Sequence, residues 1–143
     1  MNVQPTMSVL PDGSQEWRLP NGQWHRDDGP AVVYSDGTEH WYQHGQRHRD
    51  DGPALVHPNG TEYWYQRGKL HRVDGPAVVF SDGDEYWYQR GKLHRVGGPA
   101  IARTDGTEEW WINGTQVTEF EHAVVVRAHA LAEQGRPNPM PQS

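Results

Sequence analysis

Residues 64–86 read WYQRGKLHRVDGPAVVFSDGDEY, and the same 23-residue pattern recurs along most of the chain. Its HRxxGPA string begins at His25, His48, His71 and His94, so the step between copies is constant. A unit this short cannot bury an apolar core alone. The chain is therefore predicted to be an array whose neighbouring units complete each other's packing.

Each unit carries two turn signals. Asp36-Gly37 joins two runs of strand-favouring residues, 31–34 and 38–42, and predicts a two-residue hairpin loop with positive φ at both central residues. The equivalent pairs are Asn59-Gly60, Asp82-Gly83 and Asp105-Gly106. A second turn follows the outgoing strand at His44-Gly45, Arg67-Gly68, Arg90-Gly91 and Asn113-Gly114. The HRxxGP segment then leads into the next hairpin.

A two-residue loop at Asp36-Gly37 pairs Val32 with Trp41 and Ala31 with Tyr42. Because side chains alternate across a sheet, Val32 and Trp41 are predicted on one face and Ala31 and Tyr42 on the other. Both faces are part apolar and part polar, which favours one long sheet over a sandwich. The predicted fold is all-β: an elongated single-layer antiparallel sheet of stacked β-hairpin repeats with a C-terminal capping α-helix.

The pattern divides the chain into an N-terminal segment (1–11), the repeat array (12–117), a capping helix (118–134) and a disordered tail (135–143). The first hairpin is a degenerate cap, since nine steps separate Gly13 from Gly22 where the regular copies have eight. Thr118 opens a capping box with Glu121. The apolar stripe of the helix is predicted to pack on the open end of the sheet; it comprises Phe120, Val124, Ala128 and Leu131.

Composition limits the class of protein. Only 34% of residues are apolar, seven Trp and six Tyr are present, and there is no Cys. The chain has no disulfide framework or thiolate metal site, and no apolar run suits a signal peptide or membrane span, so we expect a cytoplasmic protein. The net charge of −6 argues against binding to nucleic acid or anionic membranes.

The unit of residues 64–86, with its aromatic pair, Gly turn, basic-His segment, short strand and Asp-Gly turn, resembles a MORN repeat. It is most similar to divergent MORN-variant repeats of bacteria and their phages, over about residues 13–117, although HRxxGPA stands where the usual repeat has a Gly-x-Gly step. The resemblance implies elongated hairpin sheets that act as interaction scaffolds and dimerisation elements, with lipid binding proposed for some.

No catalytic or metal cluster is expected. The histidines of the HRxxGPA strings should lie about 10 Å apart, too far for neighbouring copies to share a zinc ion, so a structural bond to the backbone of the HRxxGP corner is favoured. The repeated glutamates have nearly identical surroundings, whereas a catalytic carboxylate pair needs different ones. We expect no enzyme activity, no cofactor and no metal.

The candidate binding residues are aromatic and charged side chains that recur once per unit: Trp41, Trp64, Trp87, Trp110, Tyr65, Tyr88, Arg49, Arg72, Arg95, Glu62 and Glu85. The arginines either form ion pairs with Asp28, Asp51 and Asp74 of their own corners or are offered to a partner. Gly97 replaces the acid in the last copy, so Arg95 is predicted to be the free one.

The predicted function is a non-enzymatic repeat module that binds another protein through an aromatic and charged sheet face. One alternative is a phage-type inhibitor of a host defence nucleic-acid enzyme or toxin that acts by acidic mimicry. A second is single-stranded nucleic-acid binding by base stacking on Trp and Tyr. An open N-terminal sheet edge also permits a homodimer.

Overall fold

The structure is a computed structural model that describes residues 3–135. Within that range the chain forms short strands followed by one helix. Their bounds are β1 Thr6–Val9, β2 Gln15–Arg18, β3 Val32–Val33, β4 Glu39–His40, β5 Tyr42–Gln43, β6 Gln46–Arg47, β7 Leu55–Val56, β8 Glu62–Tyr63, β9 Tyr65–Gln66, β10 Lys69–Leu70, β11 Val78–Val79, β12 Glu85–Tyr86, β13 Tyr88–Gln89, β14 Lys92–Leu93, β15 Ile101–Ala102, β16 Glu108–Ile112, β17 Thr115–Val117 and α1 Glu119–Gln134.

The strands form one long antiparallel sheet with the order β1-β2-β3-β4-β7-β8-β11-β12-β15-β16-β17. The remaining strands form three small hairpins, β5-β6, β9-β10 and β13-β14, one in each of the first three regular copies, whereas in the fourth copy β16 continues without a break and pairs with β17. The outgoing strand of a copy thus pairs first in the long sheet and then in its own small hairpin. The elongated single-layer sheet with a C-terminal helix is confirmed.

The first turn of each unit differs from the prediction. Tyr34 and Thr38 are joined by a hydrogen bond from the Tyr34 N–H to the Thr38 carbonyl, so the loop has three residues, Ser35 to Gly37. Only Gly37 has a positive φ, of 94°. Asp36 instead accepts the Thr38 N–H through its Oδ1 at 2.8 Å. This loop requires the left-handed conformation of glycine alone, which avoids the steric cost at Asp36.

The longer loop shifts the strand register by one residue. Val32 pairs with His40 and Val33 with Glu39, so the predicted pairing of Val32 with Trp41 is wrong. A one-residue shift moves side chains to the opposite face. Val32 therefore shares its face with His40 and Tyr42, while Trp41 points to the other side. The same register recurs in β11 and β12, where Val78 pairs with Tyr86.

The core is a thin strip at the centre of the sheet. The alanine of each HRxxGPA string is fully buried, and so is most of the next side chain along the chain. These residues are Ala31, Ala54, Ala77 and Ala100, followed by Val32, Leu55, Val78 and Ile101. With so little apolar burial in one unit, each copy depends on its neighbours for stability.

The N-terminal segment supplies an additional strand. β1 pairs with β2 in the register Met7 to Trp17, which makes β1 the edge of the long sheet. The extra residue of the degenerate copy lies in the turn after β2, where Leu19 donates its N–H to the Gln23 carbonyl across a three-residue loop. The insertion therefore lengthens one turn and leaves the strands intact.

The helix occupies the predicted span but presents a different side to the sheet. Thr118 caps it by accepting the Glu121 N–H at 3.1 Å. Phe120 and Leu131 of the predicted stripe are 77% and 57% exposed, whereas His122 is buried. His122 docks because its ring packs against Trp110 of β16 at 4.8 Å, and this contact turns the apolar stripe outward. No helix in residues 3–135 is long and apolar enough to cross a membrane. The predicted disordered tail lies outside the described residues, apart from Gly135 at the C-cap of α1.

Candidate functional site

The second turn of each regular unit places a non-glycine residue in the left-handed region. Arg67 and Arg90 have φ of 49° and 52°, and His44 and Asn113 adopt the same conformation. Each is followed by a glycine with positive φ, as a two-residue type I′ loop requires. The loop type that the sequence predicts for the first turn is thus found at the second.

The histidine of each HRxxGPA string stabilises the second turn of the next copy. Nδ1 of His48 accepts the Arg67 N–H at 2.9 Å, and Nδ1 of His71 accepts the Arg90 N–H at the same distance. His25 and His94 make the equivalent bonds to His44 and Asn113 at 3.0 Å. The predicted structural role is confirmed, but the bond crosses to the following repeat and does not close the histidine's own corner.

The corner arginine lies over the tryptophan of its own repeat. The guanidinium carbon is 3.8 Å from the ring centroid in the pairs Arg49–Trp41, Arg72–Trp64 and Arg95–Trp87, and 3.9 Å in Arg26–Trp17. Such a contact is a cation–π interaction. The tryptophan row is therefore covered by guanidinium groups and does not form an open stacking platform.

Arg95 is held like the other corner arginines. The predicted ion pairs of Arg26, Arg49 and Arg72 with the acid two residues later are present at 3.1, 3.5 and 3.1 Å. Arg95 has no such acid, yet it stacks on Trp87 and donates from Nη1 to the Pro99 carbonyl at 3.2 Å. Arg95 therefore lacks the ion pair of the other copies, as predicted, but the ring and the carbonyl hold its side chain, and its availability to a partner stays a prediction.

The register separates the predicted binding residues onto two faces. We call the side bearing Trp41, Trp64, Trp87 and Trp110 the corner face; it also carries the half-buried Glu62 and Glu85, because residues two apart on a strand share a face. The opposite side, which we call the aromatic face, carries Tyr65 and Tyr88. The structure does not bring the tryptophans and tyrosines together.

The aromatic face contains a row of rings that sequence reasoning missed. Two positions of the repeat contribute alternately. Tyr34 packs on His40, and His57, Tyr63, Phe80 and Tyr86 pack in succession, with ring centroids 5.2–6.1 Å apart at tilts of 77–83°. The row consists of Tyr34, His40, His57, Tyr63, Phe80 and Tyr86. It ends at Arg103, which lies 5.9 Å from the Tyr86 ring and pairs with Glu109 at 2.6 Å. The correct loop length would have revealed the row, because these positions then fall on the same face of the sheet.

Two groups on the aromatic face have shifted pKa values. Burial, with help from Arg47 and His57, lowers the pKa of His40 to about 4. His40 Nδ1 is buried and has no hydrogen-bond partner among residues 3–135. Burial, together with Tyr86 and Tyr65, raises the pKa of Tyr88. Both rings are therefore neutral at pH 7.

The Asp and Asn side chains of these three-residue loops accept hydrogen bonds that stabilise the loops. Asp36 and Asp105 each accept the N–H of the residue two positions later at 2.8 Å. This bond holds the pKa of the Asp36 carboxyl below its usual range, and a bond from the Thr107 hydroxyl at 2.7 Å, together with the N–H bond, does the same for Asp105. Asp12, Asn21, Asn59 and Asp82 make the same contact. In residues 3–135 no group of three or more His, Asp or Glu side chains is arranged to hold a metal ion.

Comparisons with known proteins add no family to this description. The chain matches no protein-family model, and it matches none of the characterised proteins with which it was compared.

Proposed function

We propose that the protein is a non-enzymatic binding module that recognises another protein through the aromatic face. The observation that carries this proposal is the set of packed rings on this face, in which Tyr34 packs on His40, and His57, Tyr63, Phe80 and Tyr86 pack in succession. Tyr34 is 40% exposed and the other rings are half-buried. Large, partly exposed aromatic side chains flanked by arginine are typical of the centres of protein interfaces.

The geometry favours a protein partner over single-stranded nucleic acid. Base stacking requires open ring faces beside a cationic groove. Here the rings meet edge to face, and the tryptophans of the other side lie beneath arginines. The resemblance to MORN repeats stays a prediction and agrees with a scaffold role.

A photo-crosslinking experiment tests the proposal. Benzoylphenylalanine is placed at Tyr63 on the aromatic face, or at the adjacent Glu62 on the corner face as a matched control. After irradiation in cells of the native host, we expect discrete protein adducts from position 63 that are absent from position 62. The adducts from position 63 should disappear in Phe80→Arg, a replacement that the fold accommodates because Arg103 occupies the same position in the next repeat.

Two results would contradict the proposal. Identical adduct patterns from positions 62 and 63 would show that the aromatic face is not selective. Adducts from position 63 that persist unchanged in Phe80→Arg would show that the row of rings does not form the interface.

A further inference from the structure

The corner loops change character along the array. The residue after the corner arginine is Asp27 in the first copy and Asp50 in the second. The Asp27 carboxylate lies 3.1 Å from Nε2 of His25, and the Asp50 carboxylate lies 2.8 Å from Nε2 of His48. In the third and fourth copies the position is occupied by Val73 and Val96, which are 69% and 51% exposed. Neither valine contributes to the core, so a ligand could bury both side chains.

The two valines border two adjoining depressions on the corner face, which together we call the corner-face groove. Val73, Val96, Trp87 and Arg95 line a depression of about 300 Å³ between the third and fourth corners. Val73 also lines the adjoining and larger depression of about 950 Å³, between the second and third corners. Apolar side chains thus stand at intervals along a groove whose floor includes a half-buried tryptophan.

The charge that lines the larger depression is net positive, with Arg67, Lys69, Arg72 and Arg90 against Asp50, Asp51 and Asp74. Four exposed cations project from the second turns and the strands after them, and none lies within ion-pair distance of a carboxylate in the described part of the chain. They are Arg67, Lys69, Arg90 and Lys92. The acids in the groove, by contrast, are already paired within their corners: Asp50 with His48, Asp51 with Arg49 and Asp74 with Arg72.

We propose that this corner-face groove binds an extended acidic peptide segment that carries aliphatic side chains three residues apart. Equivalent positions of successive repeats are separated by two strands, which is about 10 Å. In a polyproline II conformation side chains three residues apart lie on one side at a spacing of about 9 Å. Aliphatic side chains at that interval reach Val73 and Val96 together, while the acidic residues between them face the four cations.

This surface lies opposite the aromatic face, since Trp87 follows Tyr86, the last residue of β12, and lies under Arg95, whereas the Tyr86 ring packs against Phe80. The proposal therefore does not depend on the function assigned to the row of rings. An adduct experiment at Tyr63 leaves it untouched, and the peptide experiment below leaves the aromatic face untouched.

The test uses fluorescence anisotropy with the full chain and a labelled peptide of four Glu-Glu-Leu repeats. We expect saturable binding that weakens as salt is added. The same peptide with Lys in place of Glu, or with Ser in place of Leu, should bind at least tenfold more weakly.

Two double variants test the binding residues, and each introduces residues that occupy the same positions in other repeats of the chain, so both are expected to fold. Val73→Asp with Val96→Asp installs the residue found in the first two corners and should weaken binding at least tenfold. Arg67→His with Arg90→Asn installs the residues of the outer repeats, should weaken binding similarly, and should flatten the salt dependence. Circular dichroism confirms that each variant is folded.

The proposal is overturned if the wild-type chain shows no saturable binding of the Glu-Glu-Leu peptide. It is also overturned if the Lys peptide binds equally well, or if the valine and arginine variants, while folded, bind like the wild type.

Discussion

Replacing His40 by tyrosine should remove a large part of the protein's sensitivity to mild acid. His40 has an ordinary pKa of 6.5 that burial lowers to about 4 in the folded state. The unfolded chain therefore takes up the proton more readily between these values. Stability is complete above about pH 6.5, falls as the pH drops through the unfolded pKa, and loses nothing more from this group below about pH 4.

The size of the effect follows from the shift. At about 1.36 kcal/mol for each pKa unit, protonation at pH 5 lowers the free energy of unfolding by at most about 2 kcal/mol, and by about 1–2 kcal/mol once solvent screening of a half-buried ring is included. Tyrosine does not titrate in this range, and the equivalent positions already carry Tyr63 and Tyr86. The variant should therefore fold and keep the contact with Tyr34, which lies 5.2 Å from His40.

Urea unfolding followed by tryptophan fluorescence at about pH 7.5 and pH 5 provides the measurement. The loss of free energy between the two pH values should be about 1–2 kcal/mol smaller in His40→Tyr than in the wild type. Carboxylates and the other histidines titrate in both proteins, so their effects cancel in the difference. An equal loss in both proteins would refute the reasoning that a buried neutral imidazole causes the acid sensitivity.

Three further predictions concern the connections between copies. His71→Ala removes the acceptor of the Arg90 N–H and should lower the free energy of unfolding by about 1 kcal/mol in urea titrations; an unchanged midpoint would contradict the role of the ring. Trp64→Ala, in the middle of the array, should cost about 3 kcal/mol and Trp17→Ala, at its end, clearly less; equal losses would argue against stabilisation by neighbours. Arg95→Ala and Arg72→Ala should cost the same within about 0.5 kcal/mol by thermal melting, whereas a much larger loss for Arg72 would assign the stabilisation to its ion pair with Asp74.

The repeat period and the two turns per unit were enough to predict a long antiparallel sheet ending in a helix. The register was not predictable from the dipeptide at Asp36, because Asp-Gly occurs in two-residue and three-residue loops alike. The choice depends on whether the aspartate itself adopts positive φ or accepts the N–H of Thr38. That one-residue difference concealed the row of rings on the aromatic face.

The side of the helix that packs against the sheet also could not be predicted from the spacing of apolar residues. Phe120 and Leu131 follow the spacing of a buried stripe, yet the contact between His122 and Trp110 decides the orientation. In the other units the tryptophan is covered by the corner arginine that follows it in the same repeat. No HRxxGP corner follows Trp110, the last tryptophan of this row. A histidine from the helix takes that place, and its Nε2 lies 2.7 Å from the Arg95 carbonyl oxygen.

The histidine bonds give the array a direction. In every regular unit, the histidine ring of the unit before it accepts an N–H from the second turn. If units are removed from the C-terminal end, the last remaining histidine loses this donor, and water can hydrogen-bond to its Nδ1 instead. Removal from the N-terminal end instead strips a left-handed residue such as His44 of its acceptor. The first unit has no predecessor, and its turn at Asn21-Gly22 is the longer form in which only glycine is left-handed. Shortened versions of this protein should therefore begin with that longer turn, whichever copy is placed first.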